Sequence, residues 1–104
     1  MKISIFYIPT GSEEEAQQLG QKAVENKLAA CSNSFPMQSI YPWEGKMEYD
    51  HEVVLILKTF PENNAALQSF IEKHHSYKVP CIMHWDAEVN AVYGDWMKEV
   101  ISLQ

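Results

Sequence analysis

From Met47 to Thr59 the chain runs without Pro or Gly, and inside that run Val53, Val54, Leu55, Ile56 and Leu57 are apolar with no alternation. A continuous apolar stretch of this kind predicts a strand covered on both sheet faces. Just upstream, Glu44-Gly45 supplies a tight reversal, because Gly accepts the positive φ that such a turn needs. Ser39 to Thr59 therefore reads as one long β-hairpin. At about 3.3 Å per residue the return arm reaches about 40 Å. A domain of this length has a radius of gyration of about 13 Å. The hairpin should overhang its own domain, and an overhanging edge needs a partner.

The rest of the pattern supplies the other elements. Residues 2–8, KISIFYI, predict strand 1, rich in Ile and aromatics. Thr10-Gly11 turns the chain. Ser12 with Glu15 forms a capping box, and Glu13, Glu14 and Glu15 suit the positive end of a helix. Helix 1 runs to about Asn26, with Ala16, Leu19, Ala23 and Val24 on one face. Leu28 to Phe35 predicts strand 2, with a kink at Pro36 before a hairpin arm from Gln38 to Trp43. Phe60-Pro61 ends the sheet and starts helix 2, whose stripe is Leu67, Phe70, Ile71 and His74. Val79 to Ala87 predicts strand 4, with Cys81, Met83 and Trp85 on one face. A last helix covers about Glu88 to Leu103, striped by Val89, Tyr93, Trp96 and Val100. The order is βαββαβ plus a C-terminal helix. That predicts an α+β, ferredoxin-like antiparallel sheet in one domain, residues 1–104. Right-handed crossovers place helices 1 and 2 on one sheet face. The opposite face then needs a cover: helix 3, or another copy of the chain, which the overhanging hairpin favours.

Charge narrows the function. The formal net charge is -6, and all eight basic residues are Lys. This argues against nucleic acid, which calls for basic clusters and commonly Arg forks. No segment has the apolar length of a membrane span. The short N-terminal apolar run ends at Pro9 and lacks a small-residue cleavage site, so it reads as a first strand, which implies a cytoplasmic protein. Cys31 and Cys81 then read as free thiols.

At this point the residues match a family. LAACSN (Leu28 to Asn33), SIYPWEGKMEYDHEVVLILKT (Ser39 to Thr59), HSYKVPCI (His75 to Ile82) and the late Tyr93 with Trp96 resemble the CutA divalent-cation tolerance family over essentially the whole chain. The resemblance implies a ferredoxin-like subunit in a homotrimer paired through its long strands. It also implies a link to tolerance of copper and other divalent metals and a cytoplasmic location, with no defined biochemical role. In fold and assembly that family resembles the PII signalling proteins, which bind small effectors between subunits; the analogy is one of fold alone. Two positions depart from the family pattern: Ser76 stands where Pro is usual, and Cys81 where Glu is usual. Losing that carboxylate and gaining a thiol shifts any site toward softer metals such as Cu(I).

The candidate residues each carry two readings. Cys31, on a small-residue strand, is a thiolate ligand for copper or zinc, or a buried inert thiol. Cys81 is likewise a ligand or a packed strand residue. His75 is a ligand or a cap on the helix carbonyls; His74 reads as a core or boundary residue. Glu48, Asp50 and Glu52 share a strand face, as an oxygen-ligand row or as a solvated one. Lys58 holds an anionic ligand at a cleft mouth, or snorkels at the surface. Trp43, Tyr77 and Trp96, with Tyr41, shape a ligand cleft or anchor an interface. There is no Gly-rich phosphate loop, HExxH, CxxC or Ser-His-Asp spacing. The sequence thus predicts a non-enzymatic trimer binding a metal ion or small ligand between subunits. The rival is a PII-like signalling or scaffold trimer that senses a small anion or docks on a partner protein.

Overall fold

The computed structural model describes residues 1–102. Strand β1 (Lys2–Thr10) leads to helix α1 (Glu13–Glu25), then β2 (Cys31–Trp43) and β3 (Lys46–Thr59). A 3-10 turn (Pro61–Asn63) precedes α2 (Asn64–His74), β4 (Met83–Glu88) and α3 (Ala91–Ser102). The four strands form one antiparallel sheet in the order β2-β3-β1-β4.

Alternation along the strands sorts the core. Ile8 pairs with Leu55 and Phe6 with Leu57. These four turn to the same face and meet Ala16, Leu19 and Ala23 of α1 and Leu67 and Ile71 of α2 in one buried cluster. Both crossover helices therefore lie on one side, as right-handed connections require. Gly20 lets α1 approach the sheet closely: a Cβ there would fall 2.1 Å from Ser32 Oγ. On the opposite face α3 covers one end, where Met97 is buried with Ile3 and Ala30 and backed by Tyr93 and Val100. The remainder of that face stays open, with Phe35, Met83 and Trp85 nearly half exposed.

The hairpin overhangs. β1 pairs with β3 only from Val53 to Thr59, whereas β2 pairs with it all the way to Lys46. Beyond Val53 the sheet narrows to a two-stranded ribbon, and the chain measures 46 × 23 × 21 Å. Glu44 (φ 50°) and Gly45 (φ 79°) both take positive φ, as a two-residue reversal between twisted strands demands. On the face that carries the helices nearer the core, the ribbon presents Ile40, Met47 and Tyr49, which are 67%, 56% and 72% exposed. Apolar residues of that size lie side by side and uncovered there.

Several expected boundaries shift. Strand β2 starts at Cys31 rather than Leu28, because Lys27 enters the left-handed region (φ 61°) and the chain is still turning there. Pro36 does not interrupt it; β2 is an edge strand, where a residue without an N–H is tolerated. Strand β4 starts at Met83, so Cys81 lies in the preceding loop and not on a strand face. Helix α3 begins at Ala91, and the Leu103 end of the expected helix lies outside the described residues. Trp96 is 42% exposed, and Met97 takes the buried place on its stripe. His74 is exposed and packs its ring against Phe70 at a 34° tilt instead of entering the core.

Candidate functional site

The root of the ribbon meets the loop between α2 and β4 in a cleft of about 460 Å³. The strand register builds one wall. Ser39 faces Asp50 and Tyr41 faces Glu48, so Tyr41 and Asp50 are diagonal neighbours on one face, and the Tyr41 hydroxyl donates to the Asp50 carboxylate. Two residues nearer the core, Glu52 is 7% exposed and accepts from the Tyr77 hydroxyl. Trp43, Lys78 and Cys81 complete the part of the lining that carries chemistry.

The carboxylates hold both phenols in the protonated form. Ionising a tyrosine beside a carboxylate brings two negative charges together, so the bond to Asp50 pushes Tyr41 up to about 12. Tyr77 is pushed up further, first by burial and then by its bond to Glu52.

Tyr77 is placed by a second network behind the cleft. The His75 side chain is fully buried. Its Nε2 lies 2.8 Å from the Pro9 carbonyl oxygen, and its Nδ1 accepts the Tyr77 N–H at 3.0 Å. A carbonyl only accepts and an N–H only donates, which fixes the neutral tautomer with the proton on Nε2. His75 caps α2 through its backbone N–H, which donates to the Ile71 carbonyl at 2.8 Å, while its ring has no free lone pair: ligation through the ring requires the Tyr77 bond to break. Glu15 is the other half of the brace. Ser12 Oγ accepts the Glu15 N–H as a capping box requires, but the Glu15 carboxylate does not return to the cap. It accepts the N–H of Gly11 at 2.9 Å and of Ser76 at 2.8 Å instead. Proline at position 76 could not make the second bond.

Burial opposes ionisation of Glu15, yet the donors from Gly11 and Ser76 hold its carboxyl below the ordinary 4.5. A lowered carboxylate contributes stability that is fully present above its unfolded value and is lost as pH falls through the folded one. Between about pH 6 and about pH 3 the urea midpoint should therefore fall, and Glu15→Gln should make that fall shallower. An unchanged acid slope in the variant contradicts the brace.

The remaining candidates gather elsewhere. Cys31 faces Lys58 across the β2–β3 ladder. The Lys58 ammonium lies 3.5 Å from the Tyr93 hydroxyl and 5.2 Å from its ring centre, and Tyr93 packs on Trp96 at 5.4 Å. Burial and the Cys31 thiol raise Tyr93, while Lys58 acts in the opposite sense. Cys31 is half-buried and donates to Asn33 Oδ1 at 3.6 Å; Cys81 is exposed. Six strand residues, roughly 20 Å, separate Lys58 from Glu52. The structure therefore brings Trp43, Tyr77 and Cys81 together at the cleft, and Cys31, Lys58 and Trp96 together at the far end. It joins neither Cys31 to Cys81 nor His75 to either thiol. Among the described residues no three His, Cys, Asp or Glu side chains gather closely enough to hold a metal ion. No helix among them is long and apolar enough to cross a membrane.

The comparisons agree with this architecture. Residues 4–100 match the family described as CutA1 divalent ion tolerance protein. A divalent-cation tolerance protein CutA of Archaeoglobus fulgidus is 37% identical over 99 residues, covering 94% of this chain and 97% of the relative. Its solved structure, described as a periplasmic divalent cation tolerance protein, superposes with a TM-score of 0.90 over 95% of this chain and 98% of that one. The Thermus thermophilus protein of the same description is 37% identical over 97 residues, or 91% of this chain and 94% of the relative. The divalent ion tolerance protein CutA1 of Ehrlichia chaffeensis, 31% identical, superposes with a TM-score of 0.93 over 97% and 96% of the two chains.

Proposed function

The chain belongs to the CutA1 family of divalent ion tolerance proteins, and on that premise we propose that it acts as a cytoplasmic, non-enzymatic homotrimer in divalent-cation tolerance. It holds a metal ion or small ligand at clefts bordered by the hairpins. The observation that carries this reading is the ribbon. From Lys46 to Glu52, β3 has β2 on one side and, among the described residues, no strand on the other. Its Ile40, Met47 and Tyr49 are uncovered. Both deficits are met at once if the ribbon lies along a second copy, and a closed ring of such contacts leaves no edge free.

Assembly also bears on copper. The soft donors, Cys31 and Cys81, are apart within one chain, so a shared thiol site for Cu(I) takes one from each of two subunits. Lys58 supports the second reading, a PII-like trimer that senses a small anion. Its ammonium lies against the Tyr93 hydroxyl and ring, and among the described residues it forms no salt bridge.

Amide hydrogen exchange tests the assembly. In the trimer, the amides of residues 46–52 on the outer side of β3 should exchange about as slowly as those of Val53–Thr59. Rapid exchange confined to residues 46–52 means that the edge is open to water.

A further inference from the structure

His75 is a buried titratable ring with a place ready for a second proton. Its neutral tautomer engages both nitrogens: Nε2–H on the Pro9 carbonyl of β1, and the Nδ1 lone pair on the Tyr77 N–H. The Tyr77 ring packs beside it, with ring centres 4.7 Å apart. The ion pair recorded for the ring is with α1, where Glu15 Oε2 lies 3.8 Å from the same Nδ1. On α2, His74 turns away to the Phe70 carbonyl. Glu52 of β3 stands behind the Tyr77 phenol, which donates to it.

Two donors therefore compete for one position. With Nδ1 unprotonated, the Tyr77 N–H holds it. A proton on Nδ1 sets two N–H groups against each other across 3.0 Å, and one must leave. Burial alone opposes the charged ring, whereas a carboxylate this close favours it. Glu15 is ready for that part, because the donors from Gly11 and Ser76 keep it ionised. We propose that His75 is an acid-sensitive latch: neutral, it holds Tyr77; on taking a proton from water at Nδ1, it turns that N–H to Glu15 and releases the Tyr77 N–H. Ser76 stays in place, since Glu15 Oε2 has lone pairs for both the Ser76 N–H and the ring. The released segment starts at Tyr77 and carries Lys78 and Cys81, so acid loosens one wall of the cleft.

Nothing in the inference needs the trimer or a bound ligand. Amide exchange of the full chain, expressed as protection relative to the free peptide rate, tests it at about pH 8 and about pH 5, the span over which a histidine ordinarily changes charge. Protection of the Tyr77 N–H should fall about tenfold toward the lower pH, as loss of one hydrogen bond requires, while the Ser76 N–H stays within about twofold. His75→Asn keeps a side-chain acceptor two residues before the same N–H and takes no proton. In that variant Tyr77 protection should be equal at the two pH values. Nitrogen chemical shifts of the His75 ring in the unmodified chain decide the matter if the variant fails to fold. Nδ1 should pass from a lone-pair shift to an N–H shift in step with the loss of protection at Tyr77. Tyr77 protection that ignores pH, a drop that survives in His75→Asn, a ring still neutral at the lower pH, or Ser76 losing protection together with Tyr77 overturns the inference.

Discussion

Replacing Ile40 and Tyr49 together with aspartate should convert the assembled protein into single chains. The two residues face each other across the β2–β3 ladder, and both are largely exposed within one chain. In an isolated subunit the change therefore removes no core contact. In the assembly it places two carboxylates per chain against apolar surface, and each uncompensated buried charge costs several kcal/mol. Sedimentation of the variant at micromolar concentration should give the single-chain mass. Its far-ultraviolet circular dichroism should keep the native shape, because the core around Phe6, Leu55 and Leu57 lies elsewhere. A variant that keeps the mass of the unmodified protein contradicts the ribbon's role.

Leu57→Ala should have the largest effect on the subunit itself. Leu57 is fully buried, pairs with Phe6, and belongs to the cluster under α1 and α2. Truncating it removes apolar contact and leaves a cavity between sheet and helices, at a cost of about 2–5 kcal/mol. That is a large share of the 5–15 kcal/mol or so that stabilises an ordinary domain. The measurement belongs in the Ile40→Asp, Tyr49→Asp background, where unfolding is unimolecular and protein concentration drops out. Urea titration there should show the midpoint falling, and Leu57→Met, which conserves volume, should cost less than about 1.5 kcal/mol. A cost below about 1 kcal/mol for the alanine variant places Leu57 outside the core.

Much of this architecture is legible in local pattern. The Val53–Leu57 run identifies the central strand, Ser12 and Asn26 mark the ends of α1, and Glu44-Gly45 marks the reversal. These signals are carried by residues near one another in sequence, so no distant contact is needed to read them. The errors fall where a distant contact decides. The edge position of β2 makes Pro36 harmless, and nothing around Pro36 announces that position. Glu15 reads as a cap partner, yet a loop arriving from residue 76 takes its carboxylate. His75 has a ligand's chemistry, but Pro9 and Tyr77 occupy both ring nitrogens.

The site shows the same limit. Alternation places Asp50 and Glu52 on one strand face, and so reads as a row of oxygen donors. What turns the row into a cleft is Tyr41 crossing diagonally to Asp50 and Tyr77 reaching Glu52 from beyond α2. The second partner lies 25 residues from its carboxylate, and no spacing rule predicts the contact. The aromatic residues Trp43 and Trp96 likewise separate to opposite ends of the hairpin, one at the cleft and one beside Lys58 and Tyr93.

Sedimentation equilibrium of the unmodified chain, across micromolar concentrations, bears on assembly most directly. The account predicts one species at three times the 12.0 kDa chain mass. A species that stays at 12.0 kDa throughout contradicts it, because the ribbon would then stand uncovered in water.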